Sequence, residues 1–163
     1  MERVIIIGCP GSGKSTFARK LQSYTGLPLI YLDVLFWNQD KTTVSCEEFD
    51  KRLESVLVTE CWMIDGNYNR TLETRLKNCD TVFFLDLPTE VCLAGVKERM
   101  GKPRPDMPWV GTKEDSEFIE FIKGFAATQR TKILSLLEKY KDKKVFVFHS
   151  REEIEKYLSN YDE

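Results

Sequence analysis

Short apolar runs alternate with longer amphipathic stretches along all 163 residues of the chain. The apolar runs fall at 2–7, 28–32, 61–65, 81–87 and 144–149, and they read as continuous rather than alternating, the pattern of strands buried on both faces. Between them, apolar positions recur at helical spacing. Phe17, Leu21 and Tyr24 share one face after the first run, and Phe49, Leu53, Val56 and Leu57 share another. Ser45 with Glu48, and Ser150 with Glu153, have the spacing of a capping box and mark two helix starts. Pro88 stands where a first helical turn tolerates it, ahead of TEVCLAGVKERM, and Phe121, Phe125 and Ile133 mark the buried face of a late helix. The repetition predicts an α/β three-layer sandwich of five parallel strands with helices on both faces, built as a single domain over 1–163.

The turn after the first strand changes this picture from fold to chemistry. In VIIIGCPGSGKST, Gly8 and Gly13 are followed by Lys14 and Ser15, the spacing G-x-x-x-x-G-K-[ST], with Pro10, Gly11 and Ser12 between them and Thr16 opening the helix. Backbone amides of such a loop wrap phosphate oxygens, and the helix behind it turns its positive end toward the anion. Lys14 is expected to reach the terminal phosphates of a nucleotide, and the Ser15 hydroxyl to coordinate Mg2+. The loop is thus expected to hold ATP.

Ligands of an open parallel sheet sit at the carboxyl ends of its strands, and those ends are polar here. Asp33, Asp65 and Asp86 all fall on that rim. Asp65 is the candidate for the magnesium shell. Asp33, followed by Phe36 and Trp37, is expected to orient the acceptor, or to act as base if the acceptor is a hydroxyl; the two aromatics would otherwise be ordinary packing under a loop. Asp86, just before Leu87 and Pro88, reads as a helix cap. Positive charge to stabilise a transferred phosphoryl comes from Arg99, Arg104 and Arg130. Arg99 opens RMGKPRPDMPWVGT, a glycine- and proline-rich stretch expected to form a lid over about 100–113. Arg130 lies off the buried face of the late helix. His149, Ser150 and Arg151, after the last strand, are candidates to line the base, although His149 also reads as a satisfied polar residue at a strand end.

Composition narrows the partners. A net charge of -2 and a pI near 5.6 argue against a surface dedicated to nucleic acid. The five cysteines form no C-x-x-C pair and there is one histidine, so a zinc site is not expected and the thiols read as reduced and mostly buried. Neither a leader nor a membrane-length apolar run is evident, which leads to the expectation of a cytoplasmic protein. The chain has no N-K-x-D segment to read guanine, which sets aside a signalling GTPase.

Taken together, GCPGSGKST, LDVLFW, IDGNYNRT, VFFLDLP, RPDM and QRTKIL resemble the adenylate-kinase-related, FlaR-like group of DNA topology modulation proteins over nearly the whole chain. The resemblance implies a P-loop fold of the nucleoside-monophosphate-kinase type, strand order 2-3-1-4-5, with a short lid like that of shikimate kinase. It implies a phosphotransferase moving the γ-phosphate of MgATP to a nucleoside monophosphate or a hydroxylated metabolite. Arg99 would stack on adenine and Arg130 would act in the transition state, with Lys102 and Arg104 as further lid residues. Asp33, Trp37, Asn67, Arg70 and Arg104 would hold the acceptor, Arg70 standing one residue later than the phosphate-gripping arginine of adenylate kinases. The group's name implies an alternative, a nucleotide-dependent regulator with little turnover.

Overall fold

The computed structural model describes residues 1–111 and 115–162. The five apolar runs form β1 (Arg3–Gly8), β2 (Leu29–Tyr31), β3 (Trp62–Asp65), β4 (Thr81–Leu85) and β5 (Lys144–Phe148). All neighbouring pairs are parallel, in the order β2-β3-β1-β4-β5. Strand β1 is therefore central, and Val4, Ile5, Ile6 and Ile7 have no exposed surface. Their unbroken apolar character follows from cover on both faces.

The helices are α1 (Lys14–Thr25), α2 (Leu32–Phe36), α3 (Cys46–Leu57), α4 (Asn69–Asn78), α5 (Thr89–Arg99), α6 (Ser116–Gly124), α7 (Gln129–Lys139) and α8 (Arg151–Ser159). Helices α1 and α8 pack together, and α4 is flanked by α3 and α7. Phe17 of α1 and Tyr157 of α8 meet Phe83 and Phe148 of the sheet with ring centroids 5.0–5.8 Å apart. Ser45 and Ser150 cap α3 and α8 by accepting from the Glu48 and Glu153 amides at 3.1 and 3.2 Å. The glutamates turn elsewhere: Glu48 pairs with Arg52, and Glu153 accepts from the His149 amide.

Three expectations are corrected. The late helix is two, because the chain turns over Phe125–Thr128, where the Thr128 hydroxyl and amide both donate to the Gly124 carbonyl. The turn rotates the apolar face, so Ile122, Phe125 and Ile133 are buried while Phe121 is 43% exposed. Tyr24 is also outside the core; its ring stacks on Tyr161 and its hydroxyl donates to Asp162. Asp86 caps nothing, since Pro88 holds the N-cap position of α5 and Asp86 makes an ion pair. Cys9, Cys79 and Cys92 are buried free thiols, whereas Cys46 is exposed.

Residues 100–111, most of the stretch expected to form a lid, form neither helix nor strand, and the Gly101 amide donates to the Gly111 carbonyl at 2.6 Å. Its last two expected residues, 112 and 113, lie outside the described residues.

Helix α5 touches the turn between β1 and α1 backbone to backbone. Gly11 has φ +83°, and a Cβ there would run into the Cys92 carbonyl, while a Cβ on Gly95 would run into the Gly11 carbonyl. Alanine normally stabilises a helix by about 1 kcal/mol over glycine. Here the sign reverses: Gly95→Ala is expected to destabilise the fold by about 1–3 kcal/mol through overpacking and to weaken nucleotide binding by displacing Gly11. Chemical denaturation and nucleotide titration check this; a stabilised variant with unchanged affinity would contradict the contact.

Candidate active site

The register of β1 with β3 sets Ile6 beside Asp65, so the turn that leaves β1 passes the end of β3. There the Ser15 hydroxyl donates to Asp65 Oδ2 at 2.5 Å. Asp65 is buried, and its other oxygen, Oδ1, has no partner. Burial pushes the Asp65 carboxyl up to about 6, opposed by the nearby Lys14 ammonium and the Ser15 hydroxyl. Lys14 has its own pKa pulled down by burial, and its Nζ donates to the Cys9 carbonyl at 3.4 Å. Asn67 anchors the start of the turn: it accepts from the Gly8 amide at 3.0 Å and donates to the Gly8 carbonyl at 2.6 Å. Arg151 braces the other side, reaching the Ser12 and Gly11 carbonyls at 3.5 and 3.4 Å.

These groups border a cavity of about 1160 Å³. Pro10, Gly11, Gly13, Lys14, Ser15 and Thr16 line it, whereas Gly8 and Ser12 lie behind the turn, with the Ser12 hydroxyl buried and unpaired. Opposite the turn stands Asp33, the second residue of α2 rather than a strand end, accepting from the Tyr68 hydroxyl at 2.5 Å. Burial pushes its carboxyl up, countered first by the Tyr68 hydrogen bond and the Lys14 charge. The irregular segment 100–111 contributes Arg104 and the buried Asp106, 3.6 Å apart. Arg99, its pKa lowered by burial and then by Arg104, completes a cluster with Asp33, Asp65 and Asp106 among its charged neighbours.

Phe36 and Trp37 both border the cavity. Phe36 also packs edge-on against Phe49 and Tyr68, and Trp37 meets Trp109 of the lid segment at 5.6 Å. Lys102 and Asn67 border it too.

Two predicted arginines are not brought to this cavity. Arg70 lies on the first turn of α4 and faces α3, where it binds both oxygens of Asp50 at 2.7 and 3.1 Å. Arg130 is held by both oxygens of Asp86 at 2.8–3.1 Å. His149 is 61% exposed, 3.6 Å from the same carboxylate, and does not line the cavity.

Tyr68, Arg75 and Trp109 escaped the sequence reading. Arg75 is fully buried and donates to the carbonyls of Gly66, Asn67 and Tyr68, fixing the turn that carries Asn67 and Tyr68. Its signal was a charge on the same helical face as Leu72 and Leu76. Trp109 and Asp106 stood in plain view inside RPDMPW.

The residues present fit a magnesium nucleotide. Gly13 has φ +97° and presents bare backbone, and the orphaned Asp65 Oδ1 belongs to the same carboxylate that holds Ser15. Among the described residues no three His, Cys, Asp or Glu side chains converge as a cage. A divalent cation would thus rest on Ser15 and Asp65, with phosphate oxygens and water completing its shell, as Mg2+ does in nucleotide sites.

The same architecture occurs in solved kinases. A shikimate kinase from Bacteroides thetaiotaomicron superposes with a TM-score of 0.59 at 21% identity, covering 98% of this chain and 95% of that one. Shikimate kinase from Acinetobacter baumannii in complex with shikimate gives 0.65 at 15% identity, covering 98% and 92%. A sugar kinase from Janibacter gives 0.55 at 18%, covering 99% and 95%. The fold is that of the P-loop kinases. By sequence, adenylate kinases of Thermotoga petrophila and Thermotoga maritima are 31% identical over 88 residues, 53% of this chain. The match spans only 39% of the length of those relatives. No protein-family model matches. These relatives support a P-loop kinase fold; they give no support to the topology-modulation likeness. Among the described residues no helix is long and apolar enough to cross a membrane.

The buried carboxylate sets a prediction. The folded-state pKa of Asp65 lies above its unfolded value, so the group contributes stability that is lost as pH rises through about 6. Asp65→Asn is therefore expected to stabilise the ligand-free protein at pH 7–8, by at most about 3 kcal/mol, and to remove the magnesium dependence of ATP binding. Thermal melts and calorimetry measure the two effects; a destabilised variant that still binds MgATP would contradict the assignment.

Proposed function

We propose that the protein is an ATP-dependent kinase that phosphorylates a hydroxyl of a small acceptor. The observation that carries this reading is the half-buried Asp33 carboxylate, facing the Lys14 end of the phosphate loop within one cavity. In this reading the loop amides and Lys14 bind the triphosphate of ATP, with its γ-phosphoryl toward Asp33. Ser15 and Asp65 would hold Mg2+, which neutralises charge on the phosphate oxygens when bound. Asp33 accepts a hydrogen bond from the acceptor hydroxyl and aims its lone pair at the γ-phosphorus. As the new P–O bond forms, the bond from the γ-phosphorus to the bridging oxygen breaks and its electron pair leaves with ADP. The hydroxyl proton passes to Asp33. Arg99 lines the same cavity and would stabilise charge on the phosphoryl oxygens in flight.

A nucleoside monophosphate is the weaker acceptor. Its phosphate dianion needs a cationic clamp, and the arginine that resemblance assigns to that role, Arg70, is engaged by Asp50 on the surface. Arg130 is engaged by Asp86, and its part in transfer would require it to leave that carboxylate.

Asp33→Asn is expected to lower kcat by about 10²–10⁴ while leaving ATP affinity within about twofold, because general-base assistance is lost but the phosphate loop is intact. Lys14→Ala should weaken ATP binding itself. ADP release with a panel of small alcohols, alongside calorimetry, separates the two effects. An Asp33→Asn variant with wild-type turnover would rule out the base.

A further inference from the structure

Tyr68 holds a backbone conformation that residues with a bulky side chain avoid. Its φ is +38°, in the left-handed region, where it forms the N-cap position of α4. Such strain persists only where the surroundings over-determine it, and it gathers at sites of function. The surroundings do so here. The Thr71 amide and hydroxyl donate to the Tyr68 carbonyl at 2.9 and 3.1 Å, and the buried Arg75 guanidinium donates to the carbonyls of Gly66, Asn67 and Tyr68.

The turn held in this way reaches in two directions. Asn67 grips the amide and the carbonyl of Gly8, where the phosphate loop leaves β1. One residue further on, the Tyr68 hydroxyl donates to Asp33 Oδ1 at 2.5 Å. The Tyr68 ring packs against Phe36 and Phe49 at centroid distances of 5.0 and 5.2 Å. Gly66 lies under α2, for a Cβ there would stand 2.8 Å from Leu32 Cβ. Three consecutive residues thus tie the loop that would seat ATP to the carboxylate that would meet the acceptor.

The choice of partner gives the tyrosine hydroxyl a consequence beyond packing. Asp33 borders the cavity with Oδ1 engaged, and among the described residues no group donates to its Oδ2. One fixed oxygen sets the plane in which the other presents its lone pairs. The hydrogen bond also favours the ionised carboxylate, which burial disfavours. Other charges face Asp33: Lys14, Arg99 and Arg104 favour its ionised form, and Asp65 and Asp106 oppose it. Of the elements packed on α2, β2 brings Tyr31 to the cavity, and α3 brings Arg52, which is turned to the Leu35 carbonyl and Glu48.

We propose that Tyr68 is a positioning residue: its hydroxyl fixes one oxygen of Asp33 so that the other meets the acceptor hydroxyl, at a separation from the phosphate loop set by the turn over 66–68. This rests on the phosphotransfer reading above.

The test compares wild type with Tyr68→Phe, which keeps the ring and removes the hydroxyl. In ligand-free protein carrying isotopically labelled aspartate, carbon NMR follows the titration of the Asp33 carboxyl, assigned by its loss in Asp33→Asn. Its midpoint is expected to rise in Tyr68→Phe, because the lost hydrogen bond favoured the charged form. An unchanged or lowered midpoint would overturn the proposal. With MgATP and a small alcohol that releases ADP, Tyr68→Phe is expected to lower kcat about tenfold, to move the acid limb of the pH profile upward, and to leave ATP affinity within about twofold. Adding Tyr68→Phe to Asp33→Asn is expected to lower kcat no further, since the hydroxyl acts through that carboxylate. Additive losses would overturn the positioning role. Wild-type kcat in Asp33→Asn would instead remove the phosphotransfer reading, while the titration still decides whether Tyr68 holds Asp33.

Discussion

A carboxylate kept away from water is held there by the rest of the structure, and Asp65 is such a group. The sheet order puts β1 between β3 and β4, and the β1–β3 register then brings the first turn of α1 against the end of β3. Ser15 and Lys14 meet Asp65 as a consequence of strand pairing. Three further devices keep that meeting point in place: Asn67 clamps the last residue of β1, Arg75 holds the turn after β3, and the Gly11–Gly95 approach presses α5 onto the loop. None of the three touches the open cavity through a charge, yet each sets where the charged groups stand.

The cavity carries both signs: Lys14 and Arg151 line it beside the loop, and Arg99 and Arg104 stand among the carboxylates Asp33, Asp65 and Asp106. Arg70 and Arg130 could have made the acceptor side cationic, but Asp50 and Asp86 hold each of them through two carboxylate oxygens. Adenylate kinases share 88 residues of alignment with this chain, while shikimate and sugar kinases share its fold from end to end.

Much of this was legible in the sequence because it depends on short-range pattern. Continuous apolar runs fixed the five strands to within about two residues, and the glycine spacing located the loop. Asp33, Asp65 and Asp86 could be placed on one rim because strand ends of a parallel sheet share an edge, and Arg99 and Arg104 were picked out by the glycine- and proline-rich stretch they begin and occupy. What the sequence concealed depends on partners far along the chain. Asp86 looked like a cap because Pro88 follows it, but its partner Arg130 is 44 residues away. Arg70 looked like a ligand until Asp50, on another helix, took it. The break between α6 and α7 lies in an apolar stretch whose period nearly survives the turn, so Phe121 and Ile122 exchange places without a clear local signal.

The central claim is that the loop after β1 seats a triphosphate whose last phosphoryl faces Asp33 across open space. A crystal structure with magnesium and a non-hydrolysable ATP analogue tests it most directly. The account predicts the metal on Ser15 and Asp65, the γ-phosphate beside Lys14, and room for a small acceptor between that phosphate and Asp33. A triphosphate seated away from the loop, or an adenine filling the space beside Asp33, would contradict it.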